Sequence, residues 1–196
     1  MQNIVIGTNN KGKLKEYKFF LSDFFNVLTP ADLGIDFNVA ETGTTYEENS
    51  LLKLEFLRNK NLNMAILCDD SGLEIESLNN EPGVYSARYA GEQASYQDNC
   101  EKLLKNMMRV PKEDREAKFR TVIAYKDDNR ELSCDGSVKG EIALSPKGSF
   151  GFGYDSVFYY PPLEKTFAEL SEEEKNSISH RGRALRKFLL LFNDKK

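Results

Sequence analysis

Apolar residues along this chain change period several times, and the changes outline its elements. Ile4, Val5 and Ile6 run together and stop at Gly7, and then Leu14, Tyr17 and Leu21 recur at helical spacing. This predicts a buried strand, a polar loop and a helix through "KLKEYKFFLSDF". Thr44 with Glu47 three residues on reads as a capping box for a second helix through "YEENSLLKLEFLRN". A third helix starts near Ser95, with Tyr96, Cys100, Leu103, Leu104 and Met107 on one face. Before it, "MAILCD" reads as a buried strand, and "GLEIESL", after a break at Gly72, as a half-exposed one. "NNEPG" at 79 to 83 reads as a turn, "KFRTVIAY" and "ELSCDGSV" as a long hairpin around Asp127 to Arg130, and "SVFYYPP" as another strand. Near the end, Ser171 with Glu174 forms a capping box, and Ser179 precedes a helix turning Leu185, Phe188, Leu189 and Phe192 inward. The expected fold is α/β, with one long mixed sheet flanked by helices and two lobes around a cleft.

Composition narrows the function classes. At 196 residues, 40% hydrophobic and 30% charged, the chain suits a single globular domain over 1 to 196. A net charge of −4, with both signs mixed along the chain, offers no basic face to polymeric nucleic acid. Cys68, Cys100 and Cys134 are odd in number and lack a C-x-x-C pair, as expected of reduced thiols in a cytoplasmic protein. The opening "MQNIVIGTNN" lacks the pattern of a signal peptide, and "FLLLF" at 188 to 192 is far shorter than a membrane span. No membrane association is expected.

Five stretches carry residues suited to chemistry. "GTNNKGKL" at 7 to 14 fits G-x-x-x-x-G-K at a helix start, a backbone-and-lysine cradle for phosphate, or else a polar loop with a glycine turn. Leu14 replaces the Ser or Thr that a P-loop nucleotidase uses to hold magnesium. In "DDSG", strand geometry sends Asp69 and Asp70 to opposite faces, so one fits a site and the other a support; a turn held by Asp and Ser is the alternative. In "ETGTTYEEN", capping accounts for Glu47 and a solvated face for Glu48, which leaves Glu41 as a ligand for a hard cation. "FGFGYD" at 150 to 155 offers aromatic rings on a glycine-rich loop. "EKNSISHRG" gathers Lys175, His180 and Arg181 near a helix start, a placement that favours an anionic or polar ligand. Together these describe a site for a nucleoside polyphosphate.

The motifs "TNNKGK", "ETGTTYEENSLLK", "DDSGLEIESLNNEPGVYSARYAG", "FGYD" and "AELSEEEKNSISHRGRAL", in this order, resemble those of the inosine/xanthosine triphosphate pyrophosphatase family over the whole length. The resemblance implies an elongated mixed sheet flanked by helices, two lobes around a nucleotide-binding cleft, and a homodimer. It also implies magnesium-dependent hydrolysis of non-standard purine nucleoside triphosphates to monophosphate and pyrophosphate. Carried over residue by residue, Thr8, Asn9, Asn10, Lys11, Gly12 and Lys13 cradle the phosphates. Glu41 and Asp70 hold Mg2+, and Asp70 is also the proton acceptor. Ser71, Phe152, Gly153, Tyr154, Asp155, Lys175, His180 and Arg181 contact substrate. Phe150 stands where the family commonly has Gly, and Ser156 where it commonly has Pro.

Overall fold

In a computed structural model describing residues 1 to 194, eight strands form one open mixed sheet with five α-helices. The strands are β1 (Gln2–Gly7), β2 (Phe25–Leu28), β3 (Ala65–Ile75), β4 (Glu81–Gly83), β5 (Glu116–Lys126), β6 (Glu131–Ile142), β7 (Phe158–Tyr160) and β8 (Lys165–Thr166). The helices are α1 (Lys11–Leu21), α2 (Tyr46–Arg58), α3 (Tyr96–Asn106), α4 (Glu172–Ile178) and α5 (His180–Asn193). The sheet order is β2-β1-β3-β5-β6-β7-β8, with β4 paired to β3. Strand β1 runs parallel to β2 and β3, whereas β3–β4, β6–β7 and β7–β8 are antiparallel.

The chain divides into two compact units. Among the described residues, the first holds 1 to 70, 121 to 136 and 181 to 194; the second holds 71 to 120 and 137 to 180. In the first unit the alternation of β1 and β3 assigns each side chain to a layer. Ile4, Ile6, Ala65 and Leu67 pack with Tyr17 and Leu21 of α1 and with Leu185 and Phe188 of α5. Val5, Ile66 and Cys68 pack with Leu54 and Leu57 of α2 on the other face. Both faces are covered, so these strands read as continuous apolar runs. In the second unit Leu73, Ile75, Cys100, Leu103, Met107, Phe119, Val157, Phe158 and Phe167 form a separate core.

Four expectations change. "MAILCD" and "GLEIESL" are one unbroken strand through Gly72, because β4 pairs with its second half and so continues the ladder. The capping box of the second helix is one residue later than expected: Thr45 caps α2 with Glu48, so capping accounts for Glu48 and not Glu47. The first helix ends at Leu21, and Phe25–Leu28, too short to show a period beside it, is strand β2. "NNEPG" combines a turn, with Asn79 and Asn80 at positive φ, and the three-residue strand β4.

Candidate active site

Alternation along β3 explains why two adjacent carboxylates are tolerated. Asp69 continues the Ala65–Leu67 face toward α1 and α5, and Asp70 continues the Ile66–Cys68 face toward α2. Each meets its own cations there.

On the α2 side, Lys53 Nζ lies 3.0 Å from Asp70 Oδ1 and 2.7 Å from Glu41 Oε1. The loop residue Glu41 thus meets a strand carboxylate at one ammonium. Lys53 also donates to the Asp69 carbonyl at 3.0 Å, fixing its head group on the strand backbone. Asn49, fully buried, donates to Asp70 Oδ2 at 3.1 Å and accepts from Gly43 N at 2.8 Å. Gly43 permits that approach, since a Cβ there would lie 2.7 Å from Asn49 Oδ1. Burial pushes the Asp70 carboxyl above its ordinary value, and the Lys53 ammonium only partly offsets this. Burial works against the charge on Lys53, but Asp70 and Glu41 outweigh it and hold the ammonium protonated.

On the other face, Lys13 Nζ lies 3.0 Å from Asp69 Oδ2, and Thr121 Oγ1 donates to the same oxygen at 3.2 Å. Arg181 contacts Asp69 Oδ2 through Nη2 at 3.5 Å and pairs with Glu16 through Nη1. Burial raises the Asp69 carboxyl, yet Lys13 and Arg181 together hold it well below the usual carboxylate range. Lys13 moves down because burial outweighs the pull of Asp69.

The phosphate-cradle stretch is shorter as a loop than its sequence implied. Only Thr8 to Asn10 lie outside regular structure; Gly12 and Lys13 belong to the first turn of α1. Asn10 caps that helix by accepting from Lys13 N at 3.0 Å, and Asn9 donates to the Phe37 carbonyl at 2.6 Å. Lys11 is exposed, Thr8 is half-buried, and Leu14 packs on the first unit's core.

In the second unit, Gly151 and Gly153 adopt positive φ, and a Cβ on Gly151 would meet Asp155 Oδ2 at 2.1 Å. That oxygen accepts from Phe152 N at 2.8 Å and from Lys175 Nζ. The Lys175 ammonium also sits 4.5 Å from the Phe152 ring centroid, and Tyr96 lies beside the same ring at 6.2 Å. The loop therefore fixes a half-exposed aromatic ring against a buried ion pair. Tyr154 turns inward, its hydroxyl donating to the Ser86 carbonyl at 2.9 Å. His180 is buried, its ring stacked on Phe119 at 4.8 Å, and Ser71 is a half-buried position on β3.

The structure thus brings Glu41 to Asp70 and Lys13 to Arg181 in the first unit, and Phe152 and Asp155 to Lys175 in the second. Sequence reasoning missed Glu16, Asn49, Lys53 and Thr121. The signal for Lys53 was its place one helical turn after Asn49, a polar pair buried on the inner face of α2. Glu41 and Asp70 make a donor set that suits magnesium, which takes one or two carboxylates and completes its shell with water and phosphate oxygens. Among the described residues no three His, Cys, Asp or Glu side chains cluster as a metal cage.

A model of the Ham1 family matches residues 4–190. The dITP/XTP pyrophosphatase of Thermoanaerobacter pseudethanolicus is 49% identical over 185 residues, covering 94% of this chain and 93% of that protein. The dITP/XTP pyrophosphatase of Staphylococcus aureus is 47% identical over 186 residues, with 94% and 93% covered. Among solved structures, the Staphylococcus aureus Ham1 protein superposes with a TM-score of 0.87 at 44% identity over the whole of both chains. A Ham1 protein from Coxiella burnetii gives 0.88 at 38% identity, covering 99% of this chain and 100% of that one.

Proposed function

The chain belongs to the Ham1 family, and on that premise we propose that it hydrolyses non-standard purine nucleoside triphosphates, dITP, ITP and XTP among them, to the monophosphate and pyrophosphate. The observation that carries this reading is the pair Glu41 and Asp70, converging on the Lys53 ammonium, with the charge of Lys13 also acting on Asp70. A γ-phosphate hydrolase of the P-loop kind would need a hydroxyl where Leu14 packs into the core.

Asp70 accepts the proton of the attacking water as the new oxygen–phosphorus bond forms at the α-phosphorus. The bond from that phosphorus to the bridging oxygen breaks, and pyrophosphate leaves with its charge met by Lys13. Glu41 and Asp70 would hold magnesium, which when bound would neutralise triphosphate charge. Thr8 to Gly12 hold phosphate oxygens, Phe152 stacks on the base, and Lys175, Asp155, His180 and Arg181 select the purine edge, with Ser71, Gly153 and Tyr154 shaping that contact. We also propose a homodimer in the cytoplasm; the family resemblance supports the first and three free, buried thiols the second.

The test incubates the protein and magnesium with ITP, dITP, XTP and the four common dNTPs and separates the products. Monophosphate and pyrophosphate from the hypoxanthine and xanthine nucleotides are expected, with little from the common four. Release of orthophosphate, no turnover, or equal turnover of dGTP and dITP would each overturn the corresponding part of the reading.

A further inference from the structure

Asp69 is the acid that the proposed reaction does not use. Its side chain is 1% exposed, yet three donors share its Oδ2: Lys13 Nζ at 3.0 Å, Thr121 Oγ1 at 3.2 Å and Arg181 Nη2 at 3.5 Å. The buried Tyr17 hydroxyl lies beside it, and burial, the Asp69 charge and a side-chain hydrogen bond to Asp69 all raise its pKa.

The two cations depend on Asp69 unequally. Arg181 has a tighter partner in Glu16, and its contact with Asp69 is the longest of the three. The Lys13 ammonium has Asp69 as its one hydrogen-bond and ion-pair partner among the described residues. An ammonium carries three N–H donors. One goes to Asp69, which leaves two for an incoming ligand.

We propose that Asp69 is a positioning residue acting through Lys13: it fixes the buried ammonium by one N–H before substrate arrives, with the other two aimed at phosphate oxygens. The inference rests on the pyrophosphatase reading and extends it to a residue outside the reacting set. A lysine on a flexible four-carbon stem has rotamer entropy to lose. Prior restraint by Asp69 removes that loss from the chemical step. Without the Asp69 charge, Lys13 would keep only the attraction of Asp70 against the like charges of Lys53 and Arg181. Thr121 completes the restraint, because its hydroxyl lies 3.2 Å from both Asp69 Oδ2 and the Asp70 carbonyl.

The test is a double-mutant cycle of Asp69→Asn and Lys13→Ala, read as kcat and KM with ITP and as the rise in melting temperature on adding magnesium pyrophosphate. Asp69→Asn is expected to lower kcat roughly 10- to 100-fold with Lys13 present and less than about twofold with Ala at position 13, the non-additivity of residues in one network. Pyrophosphate protection should fall alike in either single variant. Thr121→Val keeps the volume and removes the hydroxyl. It serves as the second probe should Asp69→Asn not fold, and is expected to cost roughly three- to tenfold in kcat only when Lys13 is present. Equal losses in both backgrounds would overturn the inference while leaving the reaction in place. A native chain that releases no pyrophosphate would overturn the functional reading and this inference with it.

Discussion

The two compact units bury charge in different ways. In the first, Glu16, Lys53, Asp69, Asp70 and Arg181 are all buried and meet each other through side-chain contacts around one strand. In the second, buried Arg115 spends its guanidinium on the backbone carbonyls of Met107, Val110, Ile142 and Ala143. The remaining pair there, Asp155 and Lys175, is set against the ring of Phe152. A dense, nearly balanced cluster of charges suits a multiply charged phosphate chain; an aromatic ring beside a single ion pair suits a flat polar base. Variants of Asp70 and Lys53 in the first unit should therefore slow every nucleotide alike, and loss of the Asp155–Lys175 pair in the second should alter the ranking among bases.

The largest effect tests the first half of that contrast. Asp70→Asn should lower kcat by roughly 10²- to 10⁴-fold, the usual value of a general base, and by the same factor for ITP, XTP and any common nucleotide turned over. Pyrophosphate release across the substrate panel measures it. A change of ranking in this variant would break the division between the units.

Lys53→Met comes next. It leaves Glu41 and Asp70 facing each other without the ammonium they share, and breaking a buried pair in this way costs about 3 kcal/mol. Denaturant unfolding should show that loss, and added magnesium should restore part of it, since a divalent cation serves the same two carboxylates. The native protein should gain less from the same addition.

Much of this contrast was readable in the chain, and the unread part has a common cause. Hydrophobic period gave the buried strand at Ile4 to Ile6, the hairpin around Asp127 to Arg130 and the inward face of α5. Strand alternation also put Asp69 and Asp70 on opposite faces, as found. Partners distant in sequence were not readable. Glu16 meets Arg181 across 165 positions and Asp69 meets Thr121 across 52, and no local pattern encodes either. Glu41 looked like an unexplained acid for the same reason: Lys53, its partner, reads as an ordinary helical lysine until α2 is packed against β3. The capping box slipped by one residue because Thr44 and Thr45, like Glu47 and Glu48, are adjacent repeats that sequence alone does not tell apart.

In the second unit, Lys175→Met and Phe152→Leu should separate. Loss of the Lys175 donor should shift the ratio of kcat/KM between hypoxanthine and adenine nucleotides by roughly tenfold, the penalty or gain of one unpaired polar group. Phe152→Leu removes stacking, a sequence-tolerant term of about 1 to 3 kcal/mol, so kcat/KM should fall for all bases with little change in ratio. Ratios taken within one preparation cancel any loss of folded protein. Identical ratios in Lys175→Met and the native chain would remove base selection from this ion pair.

The smallest effect compares one cysteine from each unit. Cys68 is fully buried in the apolar layer of the first unit, packed so closely that a Cβ on Gly7 would lie 2.3 Å from its sulfur. Cys68→Ser places a hydroxyl there and should cost about 1 to 3 kcal/mol. Cys100 differs: burial pushes its thiol up to about 11, so at neutral pH it stays protonated, and it donates to the Gly153 carbonyl at 3.4 Å. A serine hydroxyl keeps that donor, so Cys100→Ser should cost less than about 1 kcal/mol. Because Gly153 lies in the loop that carries Phe152, the same variant also reads the loop. A base ratio unchanged within about twofold would mean that the hydrogen bond, and not the sulfur, holds the loop in place. A larger change would assign part of the base preference to the packing of Cys100.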